Sequence, residues 1–550
     1  MALRHLIVVI PGIGGSVLER GGQPVWGDGP RRAAARVLDP ETLALSPGDG
    51  VRAVGLIRTA SIVPGWTVMH GYAELVRQIC IRFAGVRVDE GHPDRPVPNA
   101  DVVAFPYDFR QSVEVAAERL AATVEARLAE RDRRVVVIAH SMGGLVARYW
   151  LGPLKGWPRC RALITLGTPH RGAPKALAWL VNGVRLKGVQ LRAATEVIRG
   201  WPSVYELLPR YPAVLREGTA CHPHELAVDG FGYQRRARDA LTLHRRIEDA
   251  WQEVPAPPVG PSVRPFLGRG HPTLERATWA GALSVTKDPA EWLDQPADWF
   301  GDGTVPAYMA SPIEQGNQRD LWDLVPVRHG ALASHPGVIK RLETISSESE
   351  DESKIPVRGE DDARPCLGVD VEEWYPAGEA VPLEVFLRPA LRRPAEELDV
   401  RGARVWASVA PEHGGGAGHP DPEKLDVGGA RVWVVPEHGG GKALPDPVEL
   451  DVGGARVWAS VAPERSGGAG HPDPEELDVG GARVWASVAP EHGGGKALPD
   501  HVELERAGDR WVGELGGLAP GLYRLTVEGR RVPGGEPPSV REVFEVVEFP

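Results

Sequence analysis

The chain has 550 residues, too many for one hydrophobic core, and its 42% hydrophobic content is that of an ordinary globular protein. Its 63 basic against 74 acidic residues leave a formal net charge of -11, which provides no electrostatic footprint for nucleic acid or for an anionic membrane. Four cysteines, Cys80, Cys160, Cys221 and Cys366, lie far apart with no CxxC pair, which argues against a zinc site or a disulfide framework and for a reducing, cytoplasmic setting.

The first predicted element is the apolar run Leu6–Ile10. It is too short for a signal-peptide core and is followed at once by Pro11 and Gly12, so it reads as a buried strand. Further Val/Ile/Leu-rich runs without alternation stand at 102–105, 135–139, 162–166, 282–286 and 321–327. Strands buried on both faces of a parallel sheet have this composition. Between them Leu75, Ile79 and Phe83, and then Val113, Ala117, Leu120, Val124 and Leu128, recur at helical spacing. The repeated strand-then-helix order predicts a mostly parallel α/β sheet with helices on both faces. One insertion, about 175–276, is rich in Leu, Trp and Arg, ends in a Pro-rich stretch, and is placed to cap a cleft.

An acidic, Ser-rich run, SSESEDE from Ser346, has nothing to bury and reads as a linker over 346–364. It separates a catalytic domain over 1–345 from a region over 365–550, and few contacts are expected to cross it. In the second region, runs at 381–387, 521–527 and 540–547 are bounded by Pro and Gly, as in an all-β sandwich. Within it, copies of LDVxGARVW start at Leu398, Leu425, Leu450 and Leu477, with tryptophans at Trp406, Trp433, Trp458 and Trp485. These repeats, about 398–503, read as a tolerated insertion rather than a ligand-binding array, and they name no partner. No apolar stretch is long enough to span a bilayer, which leaves room for transient contact with a membrane surface.

The motif that carries chemistry is VVVIAHSMGGLVAR at Val135, a strand, a sharp turn and a helix with Ser141 on the turn. Ala139 and Gly143, two residues either side, are small enough for strand and helix to approach, as a nucleophile elbow requires. A serine hydroxyl needs a base oriented by an acid, and in this arrangement the chain order is Ser, then Asp or Glu, then His. Asp302, in GDGTVP, is the candidate acid, with Asp298 as its rival. His329, just past the run at 321–327, is the candidate base. His335 is the alternative, but SHP there looks like a helix cap and first turn. His140 should point away from Ser141, and His170 reads as structural. The expected oxyanion donors are the N–H groups of Met142 and Ile13, the latter in the loop PGIGGS at Pro11. That loop lacks the third glycine of a dinucleotide fingerprint, because Val17 stands there.

Seven short motifs in this order resemble the lecithin:cholesterol acyltransferase-like family: IPGIGGSVL at Ile10, PYDFR at Pro106, AHSMGGLVARYWL at Ala139, LGTPHRG at Leu166, YELLP at Tyr205, GDGTVP at Gly301 and HGALAS at His329. Phe109 departs from the family's usual Trp in the second of them. The resemblance covers residues 1 to about 345. It implies an α/β-hydrolase core, a cap, a triad at Ser141, Asp302 and His329, and acyl transfer from lipid-like esters to water or an alcohol. No metal or organic cofactor enters that chemistry. The competing expectation is a catalytically silent scaffold whose C-terminal β-region binds a partner.

Overall fold

A computed structural model describes residues 3–27, 40–58, 61–63, 67–69, 71–131, 133–186, 189–228, 230–293, 300–316, 318–347, 365–372, 374–388, 404–411, 450–452, 455–460, 485–490, 502–507, 510–516, 518–530 and 539–547. Seven strands build one all-parallel sheet: β1 (Leu6–Ile10), β2 (Val88–Asp89), β3 (Val102–Ala104), β4 (Val135–His140), β5 (Cys160–Leu166), β6 (Ser262–Gly268) and β7 (Asp323–Val325). Their order across the sheet is β7-β6-β5-β4-β1-β3-β2. Every residue of β1 and β4 is buried, which is why neither shows the alternation of a half-exposed strand. Register is set by pairs such as Ile10 with Ala139 on one side of β1 and Val9 with Ala104 on the other.

The chain leaves β1 for the far edge, returns beside β1 as β3, and then crosses to β4 on the other side of β1. Open parallel sheets bind ligands at such a switch point, outside the carboxyl ends of the strands. The loops after β1, β3 and β4 meet there. Helix α1 (Val113–Leu128) starts at Ser112, whose hydroxyl accepts from the Val115 N–H at 3.3 Å. Its buried row of Val113, Ala117, Leu120, Val124 and Leu128 is the one its periodicity predicts. Helix α2 (Gly143–Leu151) is buried along its whole length. Together these elements form an α/β-hydrolase fold.

Two expectations are corrected. The insertion expected over 175–276 gives up its last stretch to the sheet, because β6 lies at 262–268 between β5 and β7. Pro265 within that run has no N–H to give a central strand's ladder, and the approach to it is Pro-rich, so the stretch does not read as a strand. The run at 282–286 becomes Leu283–Thr286 and leaves the main sheet. It joins a separate four-stranded sheet with Val214–Arg216, Thr219–Cys221 and Arg276–Trp279. The cap itself is built from Pro174–Asn182, Arg192–Arg199, Pro202–Tyr205 and Tyr233–Gln252. Its last helix buries Tyr233, Ala237, Ala240, Ile247 and Trp251, and the Trp251 indole N–H donates to the Arg148 carbonyl of α2 at 3.1 Å. Among the described residues no helix is long and apolar enough to cross a membrane.

Beyond residue 365 two further sheets pack on a second core that includes Leu367, Val385, Trp511, Leu525 and Phe544. One contains Cys366–Asp370, Val381–Arg388, Arg510–Leu515 and Glu505–Ala507, all antiparallel. The other contains Trp374–Pro376, Val540–Val547, Gly521–Arg530, Arg404–Pro411 and Val502–Glu503, antiparallel except for its first pair. Of the repeats, the backbone strands Arg404–Pro411, Leu450–Val452, Ala455–Ser460 and Trp485–Pro490 are described. Of the linker expected over 346–364, Ser346 ends the helix Pro336–Ser346, and residues 348–364, like the other repeat residues up to 501, lie outside the described residues. Contrary to the expectation of few crossing contacts, these sheets dock on the first domain. Lys287 Nζ reaches both carboxylate oxygens of Asp370 at 2.7 Å, and the Arg388 guanidinium sits 3.7 Å over the Phe300 ring. The linker's composition describes only the linker; the docking faces are made by residues far from it.

Candidate active site

Ser141 follows β4 with φ at 51°, a left-handed conformation that disfavours any residue with a Cβ. The surroundings hold it there. Its N–H donates to the Leu166 carbonyl at 2.8 Å, and the helix begins two residues later. Gly143 is required by close approach: a Cβ there would lie 2.5 Å from the Pro11 carbonyl oxygen. The first turn of α2 therefore rests on the loop that follows β1. That loop is pinned from several sides: the Trp26 indole donates to the Gly14 carbonyl at 2.7 Å, and the Tyr107 hydroxyl to the Pro11 carbonyl at 3.0 Å. Ile13 and Met142, the expected oxyanion donors, are both buried in these two abutting segments.

The structure brings Ser141, His329 and Asp302 together from three remote segments. His329 Nε2 is 2.9 Å from Ser141 Oγ, and His329 Nδ1 is 2.7 Å from Asp302 Oδ2. Each of the three is 1% exposed. Asp302 uses its other oxygen, Oδ1, to accept from the N–H groups of Thr304 at 2.9 Å and Val305 at 2.7 Å. Its carbonyl accepts the His329 N–H at 2.8 Å. Burial works against ionisation of this carboxyl, yet His329 and the two amides hold it below the usual carboxylate range. His329 lies in a short turn, His329–Ser334, that follows β7. Asp302 comes from the loop that β6 approaches, with His271 and Gly301 exchanging backbone hydrogen bonds at 3.0 and 3.2 Å.

Sequence reasoning missed three contributors. Gly167, directly after β5, has φ at +57°, and a Cβ there would lie 2.7 Å from Asp302 Oδ2 and 2.9 Å from His329 Nδ1. Its absent side chain is the space in which Asp302 and His329 meet. A lone glycine at the end of a strand was the available signal. His140 and Tyr72 are the other two. His140 Nε2 lies 2.9 Å from the His329 carbonyl oxygen, and its Nδ1 lies 3.0 Å from the Tyr72 hydroxyl. A carbonyl only accepts, so Nε2 carries the proton and Nδ1 accepts from Tyr72. The Tyr72 oxygen in turn accepts the Gly12 N–H at 2.9 Å. Through these bonds His140 ties the backbone of His329 to the loop after β1. Nothing in the sequence near Tyr72 announces that role.

Of the alternatives, His335 and His170 fall elsewhere. His335 caps the helix Pro336–Ser346, its Nδ1 accepting from the Gly337 N–H at 3.2 Å. His170 is buried between Thr165 Oγ1 at 3.1 Å and Arg148 at 3.4 Å, and burial beside Arg148 holds it well below the ordinary histidine range. Asp298 lies outside the described residues. Among the described residues no cluster of His, Cys, Asp or Glu has the arrangement of a metal site.

The apolar cap residues Leu177, Leu180, Ile198, Leu207 and Leu208 pack into the main core. A cavity of about 400 Å³ opens in the cap among Tyr205, Glu206, Arg236 and Leu243, and none of Ser141, Asp302 or His329 lines it. Glu206 is buried there with Oε2 accepting the Val113 N–H at 2.7 Å, and burial pushes its carboxyl up to about 8.

The model of the family described as lecithin:cholesterol acyltransferase matches residues 96–240. The protein named lecithin-cholesterol acyltransferase-like 4, from Arabidopsis thaliana, is 27% identical over 192 residues, 31% of this chain and 32% of that protein. The match thus spans about a third of that relative's length. Among solved structures, the mature lipase BlEst2 of Bacillus licheniformis is 12% identical, with 63% of this chain and 93% of that chain covered at a TM-score of 0.28. Phospholipase PlaB of Legionella pneumophila, in complex with thio-NAD, is 12% identical, with 69% and 72% covered at a TM-score of 0.24. Residues 96–240, which run from the approach to β3 through the Ser141 turn into the cap, are thus the part of the chain that resembles lecithin:cholesterol acyltransferases.

Proposed function

We propose that the chain is a serine-dependent acyl hydrolase or O-acyltransferase acting on lipid-like carboxylic esters. The observation that carries the reading is the unbroken hydrogen-bonded line from Ser141 Oγ through His329 to Asp302, with separations of 2.9 and 2.7 Å. Ser141 attacks the ester carbonyl while His329 Nε2 takes its proton, and the Asp302 carboxylate orients the ring and stabilises the imidazolium. The N–H groups of Met142 and Ile13 receive the oxyanion. His329 returns the proton to the departing alcohol, leaving an acyl-enzyme on Ser141. Water or a second alcohol then attacks, its proton passing to His329 and back to Ser141. Hydrolysis is the favoured outcome, since water needs no acceptor pocket. The lipid-like ester comes from the similarity over residues 96–240.

Fluorophosphonate labelling of the full chain, wild type against Ser141→Ala, tests the mechanism, and an acetate-to-decanoate ester series tests the substrate. Labelling should occur and should vanish in the variant. Catalytic efficiency should rise by up to about fourfold per methylene, the equivalent of about 0.8 kcal/mol, before it levels off. A wild-type chain that fails to label sinks the mechanism and favours a silent scaffold. A flat length series leaves a short-chain esterase.

A further inference from the structure

The C-terminal sheets dock on the two loops that carry Asp302 and His329, and Arg328 is the centre of that contact. Its Nε lies 2.6 Å from Glu542 Oε2. Its Nη1 donates to the Val369 carbonyl at 3.1 Å and its Nη2 to the Val371 carbonyl at 3.3 Å. The same guanidinium lies against Gly303, the residue after Asp302, where a Cβ would stand 3.3 Å from Nη2. One side chain, next to His329 in sequence, thus touches the acid's loop and three points of the C-terminal sheets. A second strut runs parallel to it. The Val369 N–H donates to His271 Nδ1 at 3.2 Å, and His271 is the residue paired with Gly301.

The place of Glu542 in its strand points the same way. Along Val540–Val547 the inward row is Val540, Glu542, Phe544 and Val546, all buried, while Arg541 is exposed. A carboxylate in an apolar row is costly to bury unless a cation meets it. Arg328 of the first domain is that cation.

We propose that Glu542 and Arg328 are a positioning pair through which the C-terminal sheets hold His329 and Asp302 in line with Ser141. This rests on the reading of those three residues as the triad. The contacts of the pair join the loops of Asp302 and His329 to the C-terminal sheets, so its loss should slow the chemical step without weakening binding.

The test uses the full chain with Glu542→Ala, Glu542→Gln and Arg328→Met. Each is compared with wild type for kcat and KM per fluorophosphonate-labelled site, for the rate of labelling, and for Tm. Displacing a catalytic group by a fraction of an ångström should lower kcat by roughly tenfold or more while KM stays within about twofold. The labelling rate should fall in step. If Glu542→Ala does not fold, the isosteric Glu542→Gln decides the matter. Variants that lose Tm but keep wild-type kcat per labelled site make the pair merely structural and overturn the inference, with the triad reading intact. A wild-type chain that does not label overturns the triad reading and this inference with it.

Discussion

Gly167→Ala is the substitution that separates the proposed acid and base without touching either. The added Cβ would lie 2.7 Å from Asp302 Oδ2, 2.7 Å from Leu332 Cδ1 and 2.9 Å from His329 Nδ1. Ordinary contacts begin near 3.4 Å, so the His329–Asp302 pair must open by several tenths of an ångström or more. Two costs to stability follow. A Cβ at φ +57° costs roughly 1–2 kcal/mol, and overpacking a filled site adds roughly 1–3 kcal/mol. The catalytic cost is larger, because a misplacement near 1 Å slows chemistry by on the order of a hundredfold, and complete loss of the acid's role by roughly 10⁴. Gly22→Ala is the control: its φ is +78° and an added Cβ would meet nothing within 4 Å. It carries the backbone cost alone and should leave turnover unchanged. Steady-state ester hydrolysis, fluorophosphonate labelling rates and thermal unfolding of both variants complete the assay. Gly167→Ala should lose kcat by roughly a hundredfold with KM little moved. A folded Gly167→Ala chain within about threefold of wild-type kcat would show that the pair does not need this space, and the reasoning would fail.

Three further outcomes are expected. His335→Ala should lose about 1 kcal/mol of stability with its helix cap and keep its turnover, whereas His329→Ala should lose at least roughly a thousandfold in kcat; the reverse result would move the base to His335. Burial lowers His244 and His271 to about 4 from 6.5, so the unfolded chain binds more protons between those values. Their contribution is complete above pH 6.5 and fades as pH falls towards 4, so Tm should drop across that window, less steeply in His244→Gln. Glu206 has the opposite sign. Burial raises it from 4.5 to about 8, so its contribution is complete below 4.5 and is lost as pH rises through 8. Glu206→Gln should therefore gain Tm relative to wild type at pH 8 and little at pH 4.5, as a differential scanning measurement at the two pH values will show.

Signals confined to neighbouring residues were legible. The apolar runs gave β1, β3, β4 and β5 close to their observed bounds, because strands buried on both faces have no polar residues to blur them. The elbow was equally local: small residues at 139 and 143 flank Ser141 because strand and helix approach within a few residues of one another. The order of Ser141, Asp302 and His329 was legible through motif order, and His335 was separable from His329 because a cap is written in three or four residues. Strand β6 was hidden, since Pro265 speaks against a central strand until the neighbours on both sides are known. The run at 282–286 misled in the other direction, because Leu283 and Val285 alternate there with Ser284 and Thr286, a pattern that suits a half-exposed small sheet better than a buried one.

What the tertiary structure decided are the relations between segments remote in the chain. Gly167 matters only because residues 135 and 162 positions further on converge on the space beside it. Tyr72 matters because its buried hydroxyl meets both the Gly12 amide and His140, which are remote from it in the chain. Glu542 reads as one more charge on an alternating strand until Arg328 is found opposite it. Sequence patterns report how each short segment divides its polar and apolar atoms, and that division follows from local geometry. Which buried polar atom meets which is settled when distant segments lose water together, since only then does each donor and acceptor have to find its partner.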